Sequence, residues 1–208
     1  MDIAVTRAWV HAAAAAIEDQ TDYLTQLDSA IGDADHGANM RRGFTAVVAA
    51  LAELTPGTVG DVLTGTGTTL ISSVGGASGP LYGSAFRAMG KVLAEPVADD
   101  KQLLAALTEG LAAIQRLGAA VPGDKTMVDA YAPAVAAFER ALAEHGDLAA
   151  ATAAAAEAAE DGMRATTSLT ARKGRASYLG ARSVGHQDPG ATSTALIFRA
   201  LADVVAAG

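Results

Sequence analysis

The sequence predicts an all-α fold, a single domain over residues 1–208, and three observations carry that prediction. Alanine, the strongest helix former, supplies 51 of the 208 residues. Aromatic residues make up only 4% of the chain, and the bulky β-branched and aromatic side chains that fill sheets are scarce. Apolar residues recur at helical spacing in eight segments, punctuated by Gly, Pro and Asp. The length suits one domain with a true core.

The first segment takes its apolar face from Ile3, Val5, Trp9, Val10, Ile17, Tyr23, Leu24 and Leu27 and stops at Gly32. A second runs from about Asn39 through Met40, Phe44, Val47, Val48 and Leu51 to Pro56-Gly57. The third, Val59–Ser73, is weakened by Gly65 and Gly67, and Leu70-Ile71 could sit in a strand. Pro80 at a first-turn position opens the fourth, which carries Leu81, Phe86, Met89 and Leu93 before Pro96. The fifth covers about 102–117, the sixth follows Asp124 to Leu142, and the seventh is an alanine-rich run over about 148–167. The last, 189–205, has Asp188 as capping residue and Pro189 at its first position. The polar stretch 168–190 before it is too long for a simple connector.

Absence of cysteine excludes a disulfide scaffold, a thiolate metal site and a cysteine nucleophile, and fits a cytoplasmic protein. The net charge of −8 argues against a surface built for nucleic-acid phosphates. The first 17 residues lack the layout of a signal peptide, and no run of some 20 uncharged apolar residues suggests a membrane helix.

Four polar clusters interrupt the helices. The first places Asp28, Asp33 and Asp35 within eight positions. Asp33 and Asp35 cannot share a helix face, but a loop can aim both inward beside Asp28, giving an oxygen-rich site for a hard cation such as Mg²⁺. The plain alternative is that Asp35 or Asn39 caps the next helix. The second, Ser72 to Gly83, has glycines that let backbone N–H groups approach an anion, with Ser78 placed to cap the following helix or donate to a phosphate; a tight helix connection is the alternative. The third, 118–127, holds Gly-Asp-Lys-Thr but is not a P-loop, because Asp124 separates glycine from lysine; Asp124 or Thr126 capping a helix with Lys125 solvated is the expectation. The fourth, 173–191, sets Arg175 and Arg182 in a glycine-rich loop suited to phosphate or partner binding, or to a solvated loop with Arg182 paired to an acidic neighbour. Each cluster lies between one helix and the next, so an up-down arrangement could gather all four at one rim.

Together these motifs resemble the DhaL family, the nucleotide-binding L subunit of dihydroxyacetone kinase. The resemblance rests on Asp28 followed by Gly-Asp-Ala-Asp-His-Gly-Ala-Asn-Met at 32–40, Gly-Gly-Ala-Ser-Gly-Pro-Leu-Tyr-Gly at 75–83, Gly-Asp-Lys-Thr-Met at 123–127, Gly-Arg-Ala-x-Tyr-Leu-Gly-x-Arg-Ser at 174–183 and Asp-Pro-Gly-Ala at 188–191. It implies a barrel of about eight antiparallel helices with ADP or ATP at one rim, held through two Mg²⁺ ions on Asp28, Asp33 and Asp35. It further implies nucleotide contacts from His36, Gly37, Ala38, Asn39, Ala77, Ser78, Gly118, Met127, Arg175, Asp188, Pro189 and Gly190. Ala34 stands where the family has glycine, at a position where alanine resists positive φ.

The family's substrate-binding K subunit, which holds dihydroxyacetone, is then expected to be a separate protein, and a phosphocarrier subunit M to rephosphorylate ADP in place. That makes the expected function a phosphoenolpyruvate-dependent phosphotransferase step of glycerol metabolism yielding dihydroxyacetone phosphate. Two alternatives stay open: an ATP-dependent kinase for another short keto-sugar, and an ADP-loaded module that binds a transcription regulator. A homodimer is also left open.

Overall fold

The structure, a computed structural model, describes residues 1–208 apart from the side chain of His145. Nine α-helices are found among the described residues: α1 (Ile3–Asp19), α2 (Thr21–Ile31), α3 (His36–Glu53), α4 (Val59–Ser73), α5 (Ser78–Val92), α6 (Asp100–Gly118), α7 (Val128–His145), α8 (Leu148–Ala165) and α9 (Pro189–Ala207). Short 3₁₀ turns at Thr166–Ser168 and Arg175–Ser183 lie between the last two, and the described residues contain no strand.

Five of the nine helices, α1, α4, α6, α8 and α9, start at a residue whose side chain caps them. The side chain of Asp2 accepts from Val5 N–H, Asp147 accepts from Ala149 and Ala150, and Asp188 accepts from Ala191. Thr58 with Asp61 and Asp99 with Gln102 form reciprocal capping boxes for α4 and α6. The first predicted segment is divided at Gln20 (φ −102°, ψ 11°), where the polar run Asp19-Gln20-Thr21-Asp22 crosses an otherwise continuous apolar stripe. Leu70 and Ile71 are helical, and α3 begins at His36, three residues before the predicted start.

Successive helices pack against one another and α1 closes on α9, which makes a barrel. At the closing seam Trp9 Nε1 donates to the Ile197 carbonyl (2.9 Å) and its ring lies 5.9 Å from that of Phe86. Trp9, Phe44, Phe138, Leu63, Leu70 and Leu103 are fully buried, each contributing roughly 1.5–3 kcal/mol of burial. α9 is the one helix among the described residues long and apolar enough to cross a membrane, and it lies against α1, α7 and α8.

The glycines that weaken α4 on propensity serve its contact with α5. A β-carbon on Gly67 would lie 2.5 Å from the Gly83 carbonyl and one on Gly90 2.6 Å from the Gly60 carbonyl, so the two backbones approach more closely than alanine would allow. Because the helices alternate in direction, the connections α2–α3, α4–α5, α6–α7 and α8–α9 share one rim. At the other end Arg7 donates to the Leu51 and Leu54 carbonyls, closing α3, and Met1 and Ala98 exchange backbone hydrogen bonds.

Candidate nucleotide and metal site

The four connections enclose a cavity of about 300 Å³. Its wall includes the starts of all four outgoing helices: Asp35 and His36 of α3, Ala77 and Ser78 of α5, Thr126 to Val128 of α7, and Asp188 to Gly190 of α9. Of the incoming helices only α2 and α6 line it with their own residues, Asp28, Ile31, Ile114 and Gly118. The positive ends of the helix dipoles therefore outnumber the negative ends around the cavity, which favours an anion there. Leu81, Ile114, Met127 and Val128 add an apolar wall.

On one side stand the three carboxylates. Asp28, Asp33 and Asp35 each present an oxygen within 4.8 Å of the others. Asp28, 8% exposed, receives the backbone N–H groups of Asp35 (2.8 Å) and His36 (3.2 Å) on Oδ2. It thus caps α3 from the end of α2, and its other oxygen is left for a ligand. Asp35 sits at the cap position of α3 but makes no capping bond, so the capping alternative for it does not hold and its carboxylate is available. Asn39 likewise caps nothing; it lies inside α3 and accepts from Arg42 (2.7 Å). Gly32 is required where the chain leaves α2, because a β-carbon there would collide with Asp28 Oδ1. An all-oxygen set of this kind fits a hard divalent cation.

Three non-glycine residues have positive φ, and all lie in these connections: Ala34 (61°), Ala119 (47°) and Lys125 (62°). Ala34 adopts the left-handed conformation despite its methyl group, and so the loop keeps the shape a glycine would give. Strain of this sort persists where surrounding structure over-determines it, and it clusters at functional sites.

Beside the carboxylates a polar network joins three helix starts. His36 meets Ser193 through Nε2 (2.9 Å) and Ser78 through Nδ1 (3.2 Å). Tyr82 Oη donates to the Gly190 carbonyl (3.0 Å) and contacts the hydroxyls of Ser193 (2.7 Å) and Thr194 (2.8 Å). Burial pushes the His36 imidazole below its ordinary pKa, against the pull of Asp28 and Asp35, and pushes the Tyr82 phenol up. Burial also raises Asp188 to about 7, opposed by its bond from Ala191 N–H.

The stretch 168–190 forms a lip. Lys173, Gly174, Arg175 and Ala176 reach the cavity, and Arg175 pairs with Asp33 at 2.9 Å. Both side chains of this pair are exposed, so it is worth no more than about 1 kcal/mol and can give way to a ligand. Lys125 corrects the sequence expectation. It is 1% exposed, not solvated, and its ammonium donates to the carbonyls of Leu169 (3.1 Å), Ser183 (2.6 Å) and His186 (2.5 Å). Of the two expected caps for α7, Asp124 instead accepts from Val121 N–H (3.0 Å) within the α6–α7 turn, whereas Thr126 Oγ1 accepts from Val128 N–H (3.2 Å) at the helix start, helped by Asp129, which accepts from Thr126 N–H (2.7 Å).

Of the residues singled out in the sequence, Asp28, Asp33, Asp35, His36, Ala77, Ser78, Gly118, Met127, Arg175, Asp188, Pro189 and Gly190 meet at this cavity. Gly37, Ala38 and Asn39 do not line it; Gly37 packs against the Thr21 carbonyl of α2. Sequence reasoning missed a place at the cavity for Leu81, read only as a helix-face residue, for Thr126, read only as a cap, and for Ile114, which line the wall as ordinary helix and turn residues.

A family model described as the DAK2 domain matches residues 30–203. The chain belongs to the DhaL family. It is 45% identical over 184 residues to the ADP-binding subunit DhaL of the PEP-dependent dihydroxyacetone kinase of Escherichia coli (strain K12), covering 88% of each chain. It is 44% identical over 190 residues, 91% of each chain, to the ADP-binding subunit DhaL of the PTS-dependent dihydroxyacetone kinase of Lactococcus lactis. The crystal structure of the dihydroxyacetone kinase from C. freundii in complex with AMP-PNP and Mg²⁺ matches with a TM-score of 0.74 and 29% identity over 96% of this chain. This DhaL-family chain spans about a third, 34%, of that kinase's length.

Proposed function

We propose that this DhaL-family chain is the ADP-binding subunit of a phosphoenolpyruvate-dependent dihydroxyacetone kinase. In this reading one domain over 1–208 receives a phosphoryl group from a phosphocarrier M subunit onto ADP. The group then passes to a hydroxyl of dihydroxyacetone held on a K subunit, giving dihydroxyacetone phosphate. The observation that carries the reading is the convergence of three aspartates, four helix starts and Arg175 on one cavity.

Asp28, Asp33 and Asp35 would hold two Mg²⁺ ions, whose charge would neutralise that of the phosphates. The backbone N–H groups at Ala77, Ser78 and the start of α9 would orient the phosphates, and Arg175 would leave Asp33 to pair with them bidentately. Gly118, Met127 and their apolar neighbours would receive the base. His36, neutral through burial, would keep Ser78 and Ser193 in place. None of these groups need take part covalently, because phosphoryl transfer relies on positioning and electrostatic stabilisation. Gly37, Ala38 and Asn39 would support the α3 start from behind.

Support for the dihydroxyacetone reading over another short keto-sugar comes from the relatives: identity is 45% to the DhaL subunit of E. coli and 40% to the D-erythrulose kinase of Mycolicibacterium smegmatis. Phosphoryl transfer from a phosphorylated M subunit to dihydroxyacetone on a K subunit tests the reading. Transfer should depend on this chain and fall by about 10²-fold or more in Asp33→Ala. Equal transfer by that variant, or turnover supported by ATP alone, would overturn it.

A further inference from the structure

The Gly-Asp-Lys-Thr run attracts attention as a phosphate loop, and Lys125 does lie in the cavity wall, yet its ammonium is committed to backbone carbonyls of the lip. Lys125 is buried to 1% exposure, a condition lysine tolerates only when its charge is compensated. Compensation here comes from three carbonyls, matching the three protons of an ammonium, with the nearby Asp188 carboxylate adding its field. The acceptors lie far apart in the lip: Leu169 at its entry, Ser183 at the end of the turn Arg175–Ser183, and His186 just before α9. Arg175 lies between the first two, and Asp188 follows the third.

The lip has little else to fix it. It contains no α-helix, its 3₁₀ turn is kinked at Gly180 (φ 56°, ψ −129°), and its only apolar cluster is Ile31, Ala171, Ala176 and Leu179. Its other ties are the exposed Arg175–Asp33 pair and scattered single hydrogen bonds, among them Arg172 N–H to the Asp124 carbonyl, Gly185 N–H to the Thr167 carbonyl, Asp188 N–H to Thr166 Oγ1 and Gln187 to Tyr23 and Thr192. Lys125 alone reaches three points, and it does so from a left-handed backbone (φ 62°) that aims its side chain under the lip.

We propose that Lys125 is a positioning residue that staples the 169–186 lip to the α6–α7 turn and thereby holds Arg175 over the phosphate end of the cavity. The proposal rests on the nucleotide reading above. It assigns to Lys125 no bond to nucleotide and none to the divalent ligands on α2 and the α2–α3 loop, to which the lip is linked by the exposed Arg175–Asp33 pair.

Separate titrations distinguish this role from a general loss of structure. ADP affinity in Mg²⁺ is measured by calorimetry, and Mn²⁺ affinity of the nucleotide-free chain by electron paramagnetic resonance. Wild type must bind ADP; if it does not, the nucleotide reading fails before Lys125 is tested. Lys125→Met should weaken ADP by about ten-fold or more, as expected on losing charge-assisted bonds, while Mn²⁺ affinity does not fall, since a loosened lip can only free Asp33 from Arg175. Its effect should largely vanish in an Arg175→Ala background, since residues acting through one contact are non-additive. The chain has no cysteine, so Lys125→Cys can be alkylated at a single site with 2-bromoethylamine while unfolded and then refolded. That thioether restores an ammonium at nearly the same reach and should recover ADP affinity, and it decides the matter should Lys125→Met not fold. Unchanged ADP affinity in Lys125→Met, a parallel loss of Mn²⁺ affinity, additivity with Arg175→Ala, or alkylated protein as weak as Lys125→Cys would each overturn the proposal.

Discussion

Replacing Ala34 by glycine should stabilise the protein, although glycine usually costs stability. Ala34 has φ 61° between two of the three clustered aspartates. An L-residue in the left-handed region costs about 1–2 kcal/mol, whereas glycine enters it freely but loses about 0.4–1 kcal/mol more entropy on folding. The difference predicts a gain of about 0.5–1 kcal/mol for Ala34→Gly, or about 1–3 °C in midpoint for a chain of this size. Urea unfolding in EDTA without nucleotide measures it, free of any contribution from bound ligand. Ala50→Gly, on the exposed face of α3, is the internal control and should lose about 0.5–1 kcal/mol. If Ala34→Gly loses as much as Ala50→Gly, the left-handed alanine carries no strain and the reasoning fails.

Two further predictions concern packing and charge. Gly67→Ala should destabilise the protein by about 1–3 kcal/mol in the same assay, despite alanine's higher helix propensity, because the methyl group would meet the Gly83 carbonyl and Arg87 across the α4–α5 contact. Asp188 rises from 3.8 to about 7 through burial, so the folded chain retains a proton that the unfolded chain releases. Stability from this group is full below about pH 4 and is lost as pH climbs to about 7, on the order of 3–4 kcal/mol in all. Asp188→Asn keeps a capping oxygen for Ala191 and should flatten that fall, as measured by unfolding at pH 4 and pH 7 in EDTA.

Local chemistry was legible in the sequence. Five of the nine helices begin at a residue whose side chain caps them, and the four clusters between helices were each visible as runs of Asp, Gly, Ser or Arg. Their meeting at one rim followed from alternation of direction alone. Features that depend on distant partners were not legible. Lys125 reads as a solvated lysine because nothing near it in sequence announces the three carbonyls, 44 to 61 residues away, that accept its protons. Gly67 reads as a defect in α4 because its reason, Gly83, belongs to another helix. The break at Gln20 is hidden by an apolar period that continues through it. Asp28 shows both sides: its place beside the acidic loop was evident, but its second role as the cap of α3 comes from backbone groups seven and eight residues on.

Whether a divalent ion on the three carboxylates joins nucleotide to chain is decided by titrating ADP into nucleotide-stripped protein with EDTA and with saturating Mg²⁺. Wild type should gain on the order of 10²-fold in ADP affinity from Mg²⁺, the size of a strong coupling between two bound species. Asp33→Ala should lose most of that gain, while binding free ADP in EDTA at least as well as wild type, because a negative charge near the phosphates has been removed and Arg175 released. ADP affinity that ignores Mg²⁺ in wild type, or a Mg²⁺ gain intact in Asp33→Ala, would contradict the metal-nucleotide site.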